Sequence, residues 1–206
     1  MSNIRRPEML NTKKSSSGTV GTVILLIFLA LIVALFSFEV WLSNNFYAVT
    51  VSKTSMLDTL RDGDVLYAAR SFKAERGDIV IVDVSGYPDK FEDGTDLIIK
   101  RLIAVEGDEI RCLGGAVQLK AAGTDDFVEL DEPYVHYPTP DFSTVEVGAG
   151  EIFVLGDHRS NSKDSEDVGC FLYTDIVGVV PEWAVNIKSA TGAWERFRSF
   201  IYNLFS

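Results

Sequence analysis

The chain has 206 residues, of which 47% are hydrophobic and 24% charged. This globular mixture is long enough for one or two domains and excludes wholesale disorder, collagen-like repeats and a disulfide-framework mini-protein. The formal net charge of −11 argues against a nucleic-acid partner, because neutralising phosphates takes a basic footprint. The charge is unevenly placed, with Arg5, Arg6, Lys13 and Lys14 against only Glu8 in the first 14 residues, so a basic head precedes an acidic body.

Residues 1–18 read as a cytoplasmic N-terminal segment. From Ser15 to Phe38 no residue is charged, and Val20 to Phe38 is almost wholly apolar. As a helix that run is about 28 Å long, a match for a bilayer core. Being apolar all round, it is not an amphipathic surface helix. A cleaved signal peptide has a shorter apolar core followed by a small-x-small cleavage site; here Glu39, Trp41, Asn44, Asn45, Phe46 and Tyr47 follow. Aromatic residues at that edge suit a membrane interface. The expectation is one uncleaved anchor over 19–42 in a cell membrane. By the positive-inside rule the N-terminus is cytoplasmic and the acidic body, 43–190, lies outside.

The body reads as mainly β. The runs VLYAAR (65–70), DIVIVDV (78–84), LIIKRLIAV (97–105), AVQLK (116–120) and EIFVLGD (151–157) are short and rich in strand formers. Turn residues separate them, at Asp62-Gly63-Asp64, Arg76-Gly77-Asp78, Glu106-Gly107-Asp108 and Gly114-Gly115. Few body segments repeat at helical spacing, so an antiparallel, barrel-like sheet without crossover helices is expected. The tail, 191–206, changes period: Trp194, Phe197, Phe200, Ile201 and Leu204 recur at three- and four-residue steps, with Arg196 and Arg198 between them. That is a short amphipathic helix. It either lies on a membrane surface or covers the β domain, the commoner arrangement. Cys112 and Cys170 set no redox constraint, free thiols being the simpler reading. No Cys/His cluster has metal-site spacing, and neither a metal nor a cofactor is expected.

Three segments are candidates for chemistry. In VSKTSMLDTLRDGD (51–64) a strand ends in Ser/Thr-rich chain before an Asp-Gly turn, where a serine is ordinarily just a turn residue. In LIIKRLIAVEGD (97–108), side chains alternate faces, so Lys100 and Arg101 point opposite ways among apolar neighbours. One of the two charges then faces an apolar interior. A lysine can enter neutral whereas an arginine keeps its charge, so Lys100 is the candidate for a desolvated amine able to act as a general base. The alternative is an edge strand with both charges reaching water. The third, LGDHRSNSKDSEDVG (155–169), is a polar loop after an apolar strand, of the kind that bonds to nearby backbone; its spacing does not match an EF-hand.

In this order, behind an anchor, the three segments resemble the type I signal peptidases, membrane-anchored serine proteases that remove signal peptides from exported preproteins. The resemblance runs from the anchor to about Trp183. It implies that Ser55 of the Ser-Met pair is the nucleophile and Lys100 of the Lys-Arg pair the general base. It maps the family's Gly-Asp-x-Arg-x-x-Ser-x-Asp-Ser segment onto Gly156, Asp157, Arg159, Ser162, Asp164 and Ser165. Ser162 would orient the lysine amine, and Asp157 and Asp164 would hold the loop. Thr54 and Lys53 neighbour the nucleophile on the oxyanion side. Met56, Ile98 and Ile99 fall where the walls of shallow apolar substrate pockets are expected. A Ser-Lys pair is a variant of the triad logic in which a neutral amine accepts the serine proton. A monomer is expected.

The chain departs from the family pattern at four places. Asp58 stands where a proline is usual before Thr59. Lys53 stands where a Ser or Gly is common, removing a hydroxyl donor to the oxyanion. Lys53 can instead stabilise the oxyanion itself, perturb Lys100, or point to solvent. Glu166 replaces an arginine, exchanging an ion pair for repulsion, and His158 replaces an Asn. These changes motivate a rival reading, a non-catalytic homologue serving pilus or secretion assembly. A Ser-His-Asp hydrolase using His136 or His158 is a third, and no Gly-x-Ser-x-Gly elbow supports it.

Overall fold

The computed structural model describes residues 17–92 and 94–205. The chain divides into two compact units, the first ending at Ser43 and the second running from Asn44 onward. Most of the expected cytoplasmic segment, 1–18, and the last residue of the tail lie outside the described residues.

Helix α1, Ser17–Asn45, contains the apolar run. It carries no proline, and Glu39 is its one charged residue, so nothing breaks it over its length. Its large apolar side chains, among them Leu25, Phe28, Leu35 and Phe36, are exposed. Val20–Asn45 is long and apolar enough to cross a membrane. Phe38 and Trp41 stack near its end, ring centroids 6.0 Å apart.

Among the described residues the second unit has eleven strands: β1 (Phe46–Thr50), β2 (Val65–Ala69), β3 (Ile79–Asp83), β4 (Leu97–Val105), β5 (Glu109–Leu113), β6 (Ala116–Lys120), β7 (Val128–Glu129), β8 (Phe142–Glu146), β9 (Glu151–Leu155), β10 (Phe171–Leu172) and β11 (Ile176–Val180). A one-turn helix, α2 (Ser165–Val168), follows the polar loop, and α3 (Glu182–Asn186) and α4 (Lys188–Phe205) close the chain. Every strand pairing is antiparallel. A seven-stranded sheet runs β1-β2-β11-β3-β4-β9-β10 and a four-stranded sheet β7-β6-β5-β8, together a curled half-barrel. The tail helix begins at Lys188, three residues before the expected Thr191.

The five expected strands form close to their expected limits. Between β4 and β5 the turn places Gly107 at φ 82°, with the Ala122 methyl 3.1 Å from where a β-carbon would stand. Both the left-handed backbone and the close approach call for glycine. β3 is buried over Ile79–Val82, a continuous apolar run rather than an alternation, because both faces of the sheet are covered. One cluster centres on Val80, Val82, Leu102, Val154 and Phe171, the other on Ile103, Ile110, Cys112, Phe153 and Leu155. Cys112 is buried and Cys170 half-buried, and both are free thiols. Burial pushes each up to about 11, so neither is a reactive thiolate.

Candidate active site

β4 is interior to the larger sheet, between β3 and β9. Lys100 sits opposite Val80 in the ladder, on the face it shares with Ile98 and Leu102, and is 3% exposed. Its Nζ donates to Ser162 Oγ at 2.7 Å. Ser162 in turn donates to Asp164 Oδ2 at 2.5 Å, which also accepts the Gly156 N–H at 2.8 Å. Burial lowers the Lys100 amine to about 8, against the opposing pull of Asp164, Asp157 and Asp167. Burial raises the Asp164 carboxyl, opposed by Lys100 and by the hydrogen bonds it accepts. Both shifts favour the uncharged forms, and the two groups titrate as a coupled pair.

Arg101 is buried as well, at 9% exposure, where the alternation of faces sends only one of the two charges inward. Packing on both faces of β4 buries both charges, and each is met by a built partner. Arg101 Nε and Nη2 donate to Asp157 Oδ1 and Oδ2 at 2.8 and 2.6 Å. Its Nη1 donates to the Gly77 carbonyl at 2.7 Å, and its guanidinium lies 3.8 Å from the centre of the Tyr134 ring. Asp157, fully buried, also accepts the Thr59 hydroxyl at 2.5 Å. That carboxylate joins β4, the loop after β9 and the turn after Ser55.

Ser55 is half-buried in the turn between β1 and β2, whose base is closed by Val51 N to Asp64 O and Gly63 N to Val51 O. The polar loop grips this turn. His158 N donates to the Ser55 carbonyl at 3.0 Å, His158 Nδ1 lies 3.2 Å from the Thr54 carbonyl, and Asn161 Nδ2 donates to Thr54 Oγ1 at 3.0 Å. Gly156 is the point of closest approach. A β-carbon there would collide with Ser162 Oγ and stand 2.5 Å from the Ser55 carbonyl oxygen. The backbone of Ser55 and the side chain that holds Lys100 therefore rest against one and the same glycine.

The other singled-out residues are placed as follows. Lys53 has a left-handed φ of 72°, a backbone that favours glycine. Its amine is exposed and bridges Glu92 at 2.7 Å, and its charge adds slightly to the lowering of Lys100. Met56 is buried, while Ile98 and Ile99 are half-buried, Ile98 against the cluster around Val82. Arg159 donates from Nε to the Gly156 carbonyl at 3.1 Å and pairs with Glu132. Asp164 caps α2, and Ser165 Oγ accepts the Val154 N–H at 3.0 Å. Glu166 is pushed up to about 7 by burial and by the neighbouring Asp164 and Asp167, the repulsion expected from losing an arginine there. Asp58 is exposed, its carboxylate 4.0 Å from His136, and His158 stacks on Tyr137. Thr59, Glu132, Tyr134 and Thr139 also serve the site. Of these only Thr59 belongs to the three segments singled out for chemistry by their residue pattern, and it lies there only as a turn residue. Each supports an arginine or Asp157 across more than 19 residues of chain, and no local pattern marks them.

The family model for signal peptidase, peptidase S26, matches residues 20–183, which takes in Ser55, Lys100 and the whole polar loop. This chain belongs to that family. The signal peptidase I of Bacillus licheniformis is 30% identical over 172 residues, covering 76% of this chain and 81% of its own. Signal peptidase I T of Bacillus subtilis (strain 168) is 28% identical over 191 residues, covering 82% and 88%. The crystal structure of a signal peptidase I from Enterococcus faecalis V583 is 24% identical, covers 53% of this chain and 98% of that one, and has a TM-score of 0.43. The family match ends at Trp183, so α4 lies beyond it.

Proposed function

We propose that this protein is a membrane-anchored serine endopeptidase that removes signal peptides from exported preproteins, with Ser55 as nucleophile and Lys100 as general base. The observation that carries this reading is the Lys100 amine, buried, lowered to about 8 and held by Ser162, whose side chain abuts the glycine that also meets the Ser55 carbonyl. An amine titrating there is neutral in about a tenth of molecules at pH 7, enough to take the Ser55 proton as Oγ attacks the scissile carbonyl. The ammonium then returns that proton to the leaving amine, and a water repeats the cycle on the acyl-enzyme. The Ser55 N–H is the donor proposed for the oxyanion. Ser162, itself fixed by Asp164, keeps the amine from rotating away. Met56, Ile98 and Ile99 are the proposed walls for small substrate residues one and three positions before the cut. The apolar α1 supports anchoring, with the N-terminus cytoplasmic and the β unit outside.

The test is processing of a preprotein by the purified full chain in lipid vesicles, followed by mass spectrometry of the new N-terminus. Wild type should cleave after a small residue, and Ser55→Ala and Lys100→Met should each lose at least about 10³-fold in rate. Continued cleavage by Ser55→Ala would remove this nucleophile. Preprotein binding without cleavage by wild type would instead favour an assembly role.

A further inference from the structure

An amphipathic helix ordinarily turns its apolar side to the protein and its polar side to water. α4 does the reverse. Its docked residues are Thr191 and Gly192, both buried, and Glu195, which accepts a hydrogen bond from the Tyr67 hydroxyl of β2 at 2.8 Å. At about 100° per residue, Trp194, Phe197, Phe200, Ile201 and Leu204 fill an arc of about 120° centred nearly opposite those three. All five are exposed, Phe200 at 63% and Leu204 at 62%. Arg196 and Arg198 lie just outside the two edges of that arc, about 40° beyond each.

The place and the charge of this stripe say what covers it. α4 packs on β2, the hydrogen-bonded neighbour of β1, and β1 begins at Phe46, directly after the apolar helix α1 ends at Asn45. Phe46 meets Trp183 of α3 edge-on, centroids 5.3 Å apart, and Trp183 is itself exposed. The stripe therefore belongs to the corner of the β unit where the chain arrives from its anchor. Residues 196–206 hold two arginines and no acid, in a protein of net charge −11. A basic, aromatic-rich stripe fits anionic headgroups and the acyl boundary beneath them, with Arg196 at one edge and Arg198, which also bridges Glu195 at 2.8 Å, at the other, both within a side chain's reach of phosphate.

We infer that α4 is an interfacial helix, its polar side fixed to β2 and its Trp194–Leu204 stripe seated in an anionic lipid surface. The inference rests on the anchored reading above and adds a second membrane contact, one that limits tilting of the β unit over the bilayer. Substrates presented at the membrane then meet a site held at constant height.

The experiment uses the full chain in phosphatidylcholine vesicles with and without phosphatidylglycerol, carrying a phospholipid with a photoactivatable acyl chain. Trypsin cuts after Arg198, so the peptide 199–206 reports α4 apart from the anchor. Labelling of 199–206 that rises with phosphatidylglycerol is expected. In Arg196→Gln with Arg198→Gln trypsin cuts instead after Lys188, and the rise in labelling of its peptide 189–206 should be smaller by about fivefold for each charge removed. Phe197→Ser with Phe200→Ser should lower preprotein processing in vesicles while leaving cleavage of a short soluble peptide unchanged. An anchor peptide that labels while 199–206 stays at the level of the body overturns the inference, as does crosslinking of two copies through α4. Resistance to alkaline carbonate extraction reads the anchor separately, so failure of the anchor and failure of α4 are told apart.

Discussion

A lysine is a strong base in water and, for that reason, a poor one at neutral pH, since it is nearly always protonated. Removing water from around Lys100 lowers its affinity for the proton from 10.5 to about 8, which corresponds to about 3 kcal/mol set against the charged form. Two outcomes follow from the sign of that shift. The catalytic base is the neutral amine, so kcat/KM should rise with pH through about 8, as measured in a pH–rate profile. In folding, the unfolded chain binds the proton more tightly between pH 8 and 10.5. Stability should therefore grow across that window, the penalty being present in full below it. Denaturant midpoints of wild type and Lys100→Met at pH 7 and pH 10 check this: the difference between the two proteins should shift in favour of wild type at the higher pH.

The elements matter because strands alone do not bring the site together. β4 supplies the lysine, and the Ser55 turn hangs from β1 and β2, four and three places away in the sheet order. The polar loop after β9 joins them, with Gly156 at the contact. Gly156→Ala forces the Ser55 backbone and Ser162 apart by driving a methyl between them. Misplacement on the scale of 1 Å costs about 100-fold in rate, so kcat should fall by that order, with KM changing much less, in steady-state assays on a short peptide. A companion measurement of thermal unfolding separates this local displacement from loss of the fold. The Arg159–Glu132 pair ties the same loop to the chain between β7 and β8.

For the whole molecule, the Arg101–Asp157 pair is the tie that spans most of the site. Deleting one partner leaves a buried charge alone, which costs about 3–5 kcal/mol. Asp157→Ala should therefore lower Tm by about 10 °C in calorimetry, for a chain of this size. Arg101→Met together with Asp157→Leu should recover much of that loss, since an apolar pair of similar volume avoids the desolvation cost. The sequence by itself determined a great deal here. The uninterrupted apolar run, the five expected strands and their glycine turns are properties of neighbouring residues, set by local steric preference and hydrophobic periodicity. The candidate dyad and its loop were legible because three short segments occur together in one order. What only the tertiary structure decided are long-range matters: that both Lys100 and Arg101 are buried, that Thr59, Glu132 and Tyr134 support the site, and that α4 turns its apolar side away from the protein. Each depends on which surface lies opposite a residue once the sheet has curled, and neighbours along the chain carry no record of that.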